Sequence, residues 1–304
     1  MAIITSRTSD NGIIHVDYEK CTGCGLCVQV CKDDSLKLEN NKVVQNDNPV
    51  FGCFGCGHCM AVCPASAIRV EGRELSIDDL VNLPKVGDKS TYDQLKNLML
   101  GRRSIRDFRK QEVEKKIIDQ IVEASLTAPM GLPPSDVSLL VFEGRTKVRE
   151  FAFDAIDQMG KFAWLFTPPG IWLWRLFGKK SYEMMKGFGQ PLITKLVSNK
   201  KANKDYLLYD APLAMYFLAS PYSDPVDPII PASYAMLAAE SLGLGSCMIG
   251  SIHPLIRYGA KTFKKKWNIP QQSPNGIVVV FGYPKYQLQK ALKRTFAQVT
   301  VYEN

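Results

Sequence analysis

The chain has 304 residues, 46% of them hydrophobic and 22% charged, with a formal net charge of +8 at pH 7. That length suits two domains, or one large domain with an appendage, and the apolar share allows a sizeable core. The most apolar segment, FAWLFTPPGIWLWRLF (162–177), is broken by Pro168-Pro169-Gly170 and is shorter than the roughly 20 apolar residues a bilayer span takes.

Charge is divided unevenly along the chain. Residues 1–80 carry 7 Lys+Arg against 11 Asp+Glu, a balance of −4, and residues 81–304 carry 31 against 19, a balance of +12. Two modules of unlike character account for this. The basic residues are dispersed, with no RNP-like, zinc-finger or basic-helix pattern, so nucleic acid is not an expected partner. The opening residues MAIITSRTSDNG hold no apolar h-region, so the expected location is the cytoplasm. In a reducing compartment, clustered thiols are metal ligands sooner than disulfides.

In chain order, IIHVDY (13–18) reads as a short strand, and SLKLE (35–39) with KVVQN (42–46) reads as a hairpin across Asn40-Asn41. SAIRVE (66–71) repeats SLKLE, so the first 75 or so residues form a duplicated loop–helix–strand unit. LPKVGDKS (83–90) is a linker. We expect domains over 1–80 and 92–304, with 81–91 between them. From Tyr92 the apolar spacing turns helical, in YDQLKNLML and EVEKKIIDQIVEASL. PLAMYFLAS (212–220) and GIVVVFGYP (276–284) read as buried strands. ASYAMLAAESLGLG (232–245) reads as a helix with a glycine stop. This pattern predicts an α+β chain whose larger domain has three layers.

Cys21, Cys24, Cys27 and Cys31 are spaced C-x2-C-x2-C-x3-C, and Cys53, Cys56, Cys59 and Cys63 repeat that spacing 32 residues later. A structural zinc ion usually draws its thiolates as two separated pairs, to surround one small centre. Three thiolates from one tight loop with a more distant fourth instead suit the corners of a cubane, and this is the bacterial [4Fe–4S] spacing. In two-cluster proteins the fourth cysteine of each run serves the other cluster. Cys21, Cys24, Cys27 and Cys63 are therefore assigned to one cluster, and Cys53, Cys56, Cys59 and Cys31 to a second. Residues 1–75 closely resemble the bacterial-type two-cluster ferredoxins, except that Lys32 follows Cys31 where those proteins usually have proline. His58, inside the second loop, is expected at the surface or behind the ligands. The resemblance implies a relay of single electrons.

GRRSIRDF (101–108) crowds Arg102, Arg103, Ser104 and Arg106 into five residues. Guanidinium groups this close must be solvated or face a dianion such as phosphate. Taken alone, the run fits a solvated basic turn equally well. Together with Ala128-Pro129, YDAP (209–212), AAESLGLGSCMIG (238–250) and GYP (282–284), it resembles the nitroreductase family of FMN enzymes from about Tyr92 onward. That resemblance implies a three-layer α/β/α domain with the FMN phosphate and ribityl chain on Arg102, Arg103, Ser104 and Arg106. Lys293 or Arg294 would close on the phosphate. A main-chain N–H of Met248, Ile249 or Gly250 would face flavin N5. It also implies a homodimer with flavin at the subunit interface, the partner copy lending the loop of Pro129, Met130 and Gly131. Met130 and Pro133 stand where that loop commonly has Ser and Asn. The GLG of 243–245 lacks G-x-G-x-x-G spacing and follows a helix, which excludes a dinucleotide fingerprint. Nitroreductase proteins with an N-terminal ferredoxin domain share this layout.

The expected activity is that of a flavin oxidoreductase. A ferredoxin-like donor reduces two [4Fe–4S] clusters, the clusters reduce FMN, and FMN passes hydride to a small nitroaromatic or quinone acceptor. Two other readings stand beside it: a flavin reductase using NAD(P)H, and an electron carrier for a partner enzyme. No acid–base side chain is assigned. Cys247 is expected to be a small buried thiol rather than a redox group. The aromatic stretch of Trp164, Phe166, Trp172, Trp174 and Phe177 is expected to be a lid or interface. Membrane-surface contact aided by Lys179 and Lys180 is the alternative to that, and the membrane is not an expected partner.

Overall fold

A computed structural model of the chain describes residues 2–253, 256, 260–270 and 275–303. The N-terminal module is built from two copies of one unit. β1 (Ile13–Val16) precedes the first copy, which comprises α1 (Leu26–Val30) and β2 (Leu36–Glu39), with β3 (Lys42–Gln45) between the copies. The second comprises α2 (His58–Val62) and β4 (Ile68–Glu71). The hairpin forms where Asn40-Asn41 predicts it: both residues have positive φ, 47° and 59°, and Glu39 pairs with Lys42. β4 reaches back instead to β1, pairing Ile13 with Glu71 and Val16 with Ile68. Leu36, Val43, Met60, Ile68 and Val70 fill the space between the copies.

Both strands are shorter than the apolar runs suggest. Asp17 ends β1 by accepting the amides of Glu19 and Lys20 on its carboxylate and that of Cys21 on its carbonyl. Ser66, at φ 48°, keeps the chain out of extended conformation until Ile68.

The larger module opens with α3 (Tyr92–Gly101), started by a capping box between Thr91 and Gln94, and α4 (Lys115–Leu126). Its sheet has four strands, β5 (Val137–Glu143), β6 (Leu213–Ala219), β7 (Gly245–Ile249) and β8 (Gly276–Gly282), in the order β5-β6-β8-β7 with every pair antiparallel. All seven residues of β6 are buried, and their alternation separates two cores. Leu213, Met215 and Phe217 pack with Ile118 and Ile121 of α4 and with Ala232, Ala235 and Ala239 of α9 (Ile229–Ser241). Ala214, Tyr216 and Leu218 face Val148, Phe151 and Ile156 of α5 (Arg145–Lys161) and Leu196 of α8 (Gln190–Lys201). Helices thus cover both faces of the sheet. This is the expected α+β chain: a small duplicated module followed by a three-layer α/β/α domain.

The helix expected over 232–245 runs instead from Ile229 to Ser241, with Pro231 in its first turns. Gly243, at φ 79°, ends it, and the Leu244 amide turns back to the Ala239 carbonyl at 2.8 Å. The residues that follow form β7, an edge strand that the small-residue run had merged with the helix. Between α5 and α8 lie α6 (Pro168–Leu173) and α7 (Lys179–Met184), which runs through a π-turn (Met185–Gly189) into α8. Among the described residues no helix is long and apolar enough to cross a membrane.

Candidate functional site

The eight cysteines of the two runs divide between two cavities. Cys21, Cys24, Cys27 and Cys63 line the first, and Cys31, Cys53, Cys56 and Cys59 line the second, the same grouping as the crossed assignment. Among the described residues no group of three or more His, Cys, Asp or Glu converges tightly enough for a single ion. Thiols spread around a hollow suit a multi-iron cubane better than one zinc. α1 and α2 start from Gly25 and Gly57, whose φ values of 73° and 74° let each loop double back before its helix. Burial pushes the Cys59 thiol up to about 12 and raises Cys27 and Cys53 as well. Thiolates in such places need positive charge beside them, which cluster iron would supply. The Ala67 amide donates to Cys63 Sγ at 3.2 Å. His58 is exposed at the rim of the second cavity.

The arginine run lies along the open edge of β7. Ser104 bridges Ser246 in parallel fashion, and the Ile105 amide donates to the Ser246 carbonyl at 3.0 Å. Gly245 makes that approach possible, because a Cβ there would lie 2.6 Å from the Ile105 side chain. Arg103 Nη2 donates to the Leu292 carbonyl at 3.4 Å, which brings the segment carrying Lys293 and Arg294 to the same place. Arg106 lies 5.9 Å from the centre of the Tyr209 ring. Among the described residues no carboxylate forms an ion pair with Arg102, Arg103 or Arg106. Burial raises the Glu240 carboxyl and the fields of Arg102 and Arg103 oppose it. The Ser246 hydroxyl is buried without a hydrogen-bond partner. Clustered cations short of anions beside an unsatisfied hydroxyl fit a phosphorylated ligand.

Met248, half-buried, and Ile249, buried, end β7, and Gly250 is exposed just beyond. Cys247 is buried among the aliphatic residues of the sheet core, opposite Val280. The structure does not bring Pro129, Met130 and Gly131 to this place. A Cβ on Gly131 would lie 2.8 Å from Asp227 Oδ2, at the start of α9, whereas Glu240 faces Gly101 from its last turn. A 13-residue helix separates those two points by about 20 Å.

The aromatic segment contributes to an apolar cavity of about 650 Å3 lined by Met159, Phe162, Phe166, Trp174, Phe188 and Leu192, among others. It opens beside Gly250 and Ser251, and among the described residues no ionisable side chain lines it. Trp164, Trp172 and Phe177 remain exposed.

Comparison with known proteins places the larger module. The model of the nitroreductase family matches residues 99–283, more than half the chain. The chain belongs to the nitroreductase family. It is an oxidoreductase of that family with an N-terminal ferredoxin-type module, for residues 13–64 match the model of a 4Fe-4S dicluster domain. Its fold is similar to that of a nitroreductase with bound FMN from Desulfitobacterium hafniense DCB-2, at 20% identity and a TM-score of 0.50, covering 69% of this chain and 98% of that one. It is equally similar to a nitroreductase with bound FMN from Bacteroides fragilis NCTC 9343, at 18% identity and a TM-score of 0.50, covering 69% and 99%. None of the curated proteins matches the chain.

Sequence reasoning missed the roles of Glu240, Tyr209 and Ser246. Each lies inside a quoted motif, but only the pairing of the arginine run with β7 reveals which of them face it.

Proposed function

We propose that this family member holds FMN on Arg102, Arg103, Ser104 and Arg106, with Lys293 or Arg294 completing the phosphate cradle. Two [4Fe–4S] clusters would be bound by the crossed cysteine sets. The observation that carries the flavin assignment is the convergence of the arginine run, the edge of β7 and the Leu292 segment, where among the described residues no carboxylate forms an ion pair with the three guanidinium groups and Glu240 acts on two of them only through space. When bound, these groups supply the conversion of single electrons into a two-electron reduction. The arginines anchor the cofactor by charge, and the Met248–Gly250 backbone offers amides to its ring.

The two halves of the expected site lie at opposite ends of α9, and this supports a homodimer in which each copy lends residues 129–131 to the other's flavin. Exposed apolar residues of the C-terminal segment, Leu292, Phe296 and Val301, suit burial in the same interface. Among the described residues the lining of the cavity beside Gly250 is apolar, which suits an uncharged acceptor of the quinone or nitroaromatic class. We read the protein as cytoplasmic and fed by a low-potential, ferredoxin-like donor.

The test mixes anaerobic holoprotein with reduced ferredoxin, NADH or NADPH in separate stopped-flow experiments, then with a panel of uncharged acceptors. Flavin reduction by ferredoxin and turnover of the panel are expected. Fast reduction by a nicotinamide with none by ferredoxin reverses the electron direction, and no turnover with any acceptor leaves a carrier.

A further inference from the structure

Arg73 is only 4% exposed, yet its guanidinium meets main-chain oxygens and not a carboxylate. Nε donates to the carbonyls of Phe54 and Pro133, both at 3.0 Å. Nη1 donates to those of Ile3 at 2.9 Å and Asp10 at 2.7 Å, and Nη2 to Pro133 at 2.7 Å. Phe54 sits between Cys53 and Cys56 in the second cysteine loop, whereas Pro133 belongs to the larger module, two residues past Gly131. Around this contact, Arg7 Nη1 donates to the Ser135 carbonyl at 3.1 Å while pairing with Glu74, and the Ser6 amide donates to the Asp136 carboxylate at 3.0 Å. The second loop is therefore pinned to residues 133–136 by a buried cation.

A buried guanidinium with no carboxylate hydrogen-bonded to it is costly, and here carbonyls solvate it while the Asp10 carboxylate acts on it only through space. A cubane with four thiolates carries net negative charge, which grows by one on reduction. Among the described residues the ionisable neighbours of the second cavity, apart from its thiols, are Lys32, Asp33 and His58 in its lining and Arg73 behind Cys53 and Gly55, with the Asp10 carboxylate acting on Arg73 through space. Asp33 is buried and accepts the Phe51 amide at 2.6 Å. Leaving His58 aside, Lys32 and Arg73 balance Asp33 and Asp10, so loss of Arg73 would leave these surroundings net negative. Among the described residues the lining of the first cavity includes no ionisable group besides its thiols. Positive charge stabilises the reduced cubane and so raises its potential.

We infer that the cluster held by Cys31, Cys53, Cys56 and Cys59 is the exit of the relay, and that Arg73 is the positioning residue that fixes it against residues 133–136 and raises its potential. This rests on the proposed cluster and flavin assignments. A one-electron donor would reduce the cubane held by Cys21, Cys24, Cys27 and Cys63, and its electron would pass through that held by Cys31, Cys53, Cys56 and Cys59 to the flavin. Each cubane thereby returns to its oxidised level. Two such electrons and one proton from solvent would make up the hydride equivalent delivered to the acceptor. Met130 and Gly131, on the loop that Pro133 continues, are the flavin-contacting residues nearest this exit in the chain.

The experiment uses the full holoprotein with Arg73→Met and Arg73→Lys. Anaerobic redox titration followed by EPR reads each cluster, and the second is identified as the signal lost in Cys56→Ser. In Arg73→Met the second cluster's potential should fall by 59 mV or more, a tenfold change for a one-electron couple, while the first stays in place. Flavin reduction by pre-reduced clusters should slow at least tenfold at unchanged iron and flavin content. Arg73→Lys keeps the charge without the fork of donors, so its potential should recover while the reduction rate does not. Asp136→Ala, remote from the thiols, should slow flavin reduction without moving either potential, and it decides the docking claim if Arg73→Met loses iron. A shift confined to the first cluster, or no change in potential or rate, overturns the inference. A holoprotein whose clusters never reduce its flavin overturns the functional reading instead, and the potential shift would still report on Arg73.

Discussion

Arg103 Nη2 and the Leu292 carbonyl, 189 residues apart in the chain, meet at 3.4 Å. Through that contact a loop before the sheet and a segment after its last strand form one basic cradle. Hydrogen bonds to a charged group are worth about 1.5–3 kcal/mol, and 1.4 kcal/mol is tenfold in affinity. Arg103→Ala should therefore weaken FMN retention by about 10- to 100-fold with iron content unchanged. Flavin released on gel filtration, compared with total iron, checks this. The same assay on Lys293→Ala and Arg294→Ala shows which of the two closes the cradle.

Gly245 touches the arginine run only through the space it leaves. An added methyl would lie 2.6 to 2.9 Å from atoms of Ile105, closer than real contacts allow. Gly245→Ala should push the run off the edge of β7 and lower flavin affinity roughly tenfold, although position 245 is not assigned to the cofactor. Retained flavin fluorescence at parental levels would show that the run can shift without harm.

Cys63 follows α2 in sequence but lines the cavity of the first loop, and Cys31 lines that of the second. In Cys63→Ser the EPR signal lost or altered should be the one also affected by Cys24→Ser, and in Cys31→Ser the one affected by Cys56→Ser. The opposite pattern refutes crossed ligation.

Asp205 is buried, and its carboxyl is pushed up to about 6 from 3.8 by burial, against the amides of Leu207 and Leu208 that its Oδ1 accepts. Between those values the folded chain binds more protons than the unfolded one. Stability from this group is therefore full below about pH 4 and is lost as pH rises through about 6. The whole change is at most about 3 kcal/mol. Asp205→Asn keeps an acceptor for both amides and removes the titration. Its urea midpoint should gain on the parent's between pH 5 and pH 7.5. A constant difference across that range would assign the slope to other groups.

Much of the chemistry was legible without coordinates. Three thiols of each set were grouped by local loop spacing, and the fourth, which crosses over from the other run, by the two-cluster pattern. The arginine run was found by its charge density, and β6 and β8 by their unbroken apolar character. β7 was not separated from α9, because Gly243 alone marks the boundary and small residues suit both elements. Glu240 and Tyr209 carried no signal of their own. They matter only because α9 ends and the YDAP turn folds beside the run.

The order of residues by itself determined the number and spacing of thiols, the two modules and the cationic run, since each depends on groups close together in the chain. Tertiary structure decided what those groups face. It laid the run along β7, brought Leu292 to Arg103, placed residues 129–131 a helix length away, and set Arg73 between the second cysteine loop and Pro133. Such relations join segments tens to nearly two hundred residues apart. They are selected by the packing of whole layers, which no local pattern encodes.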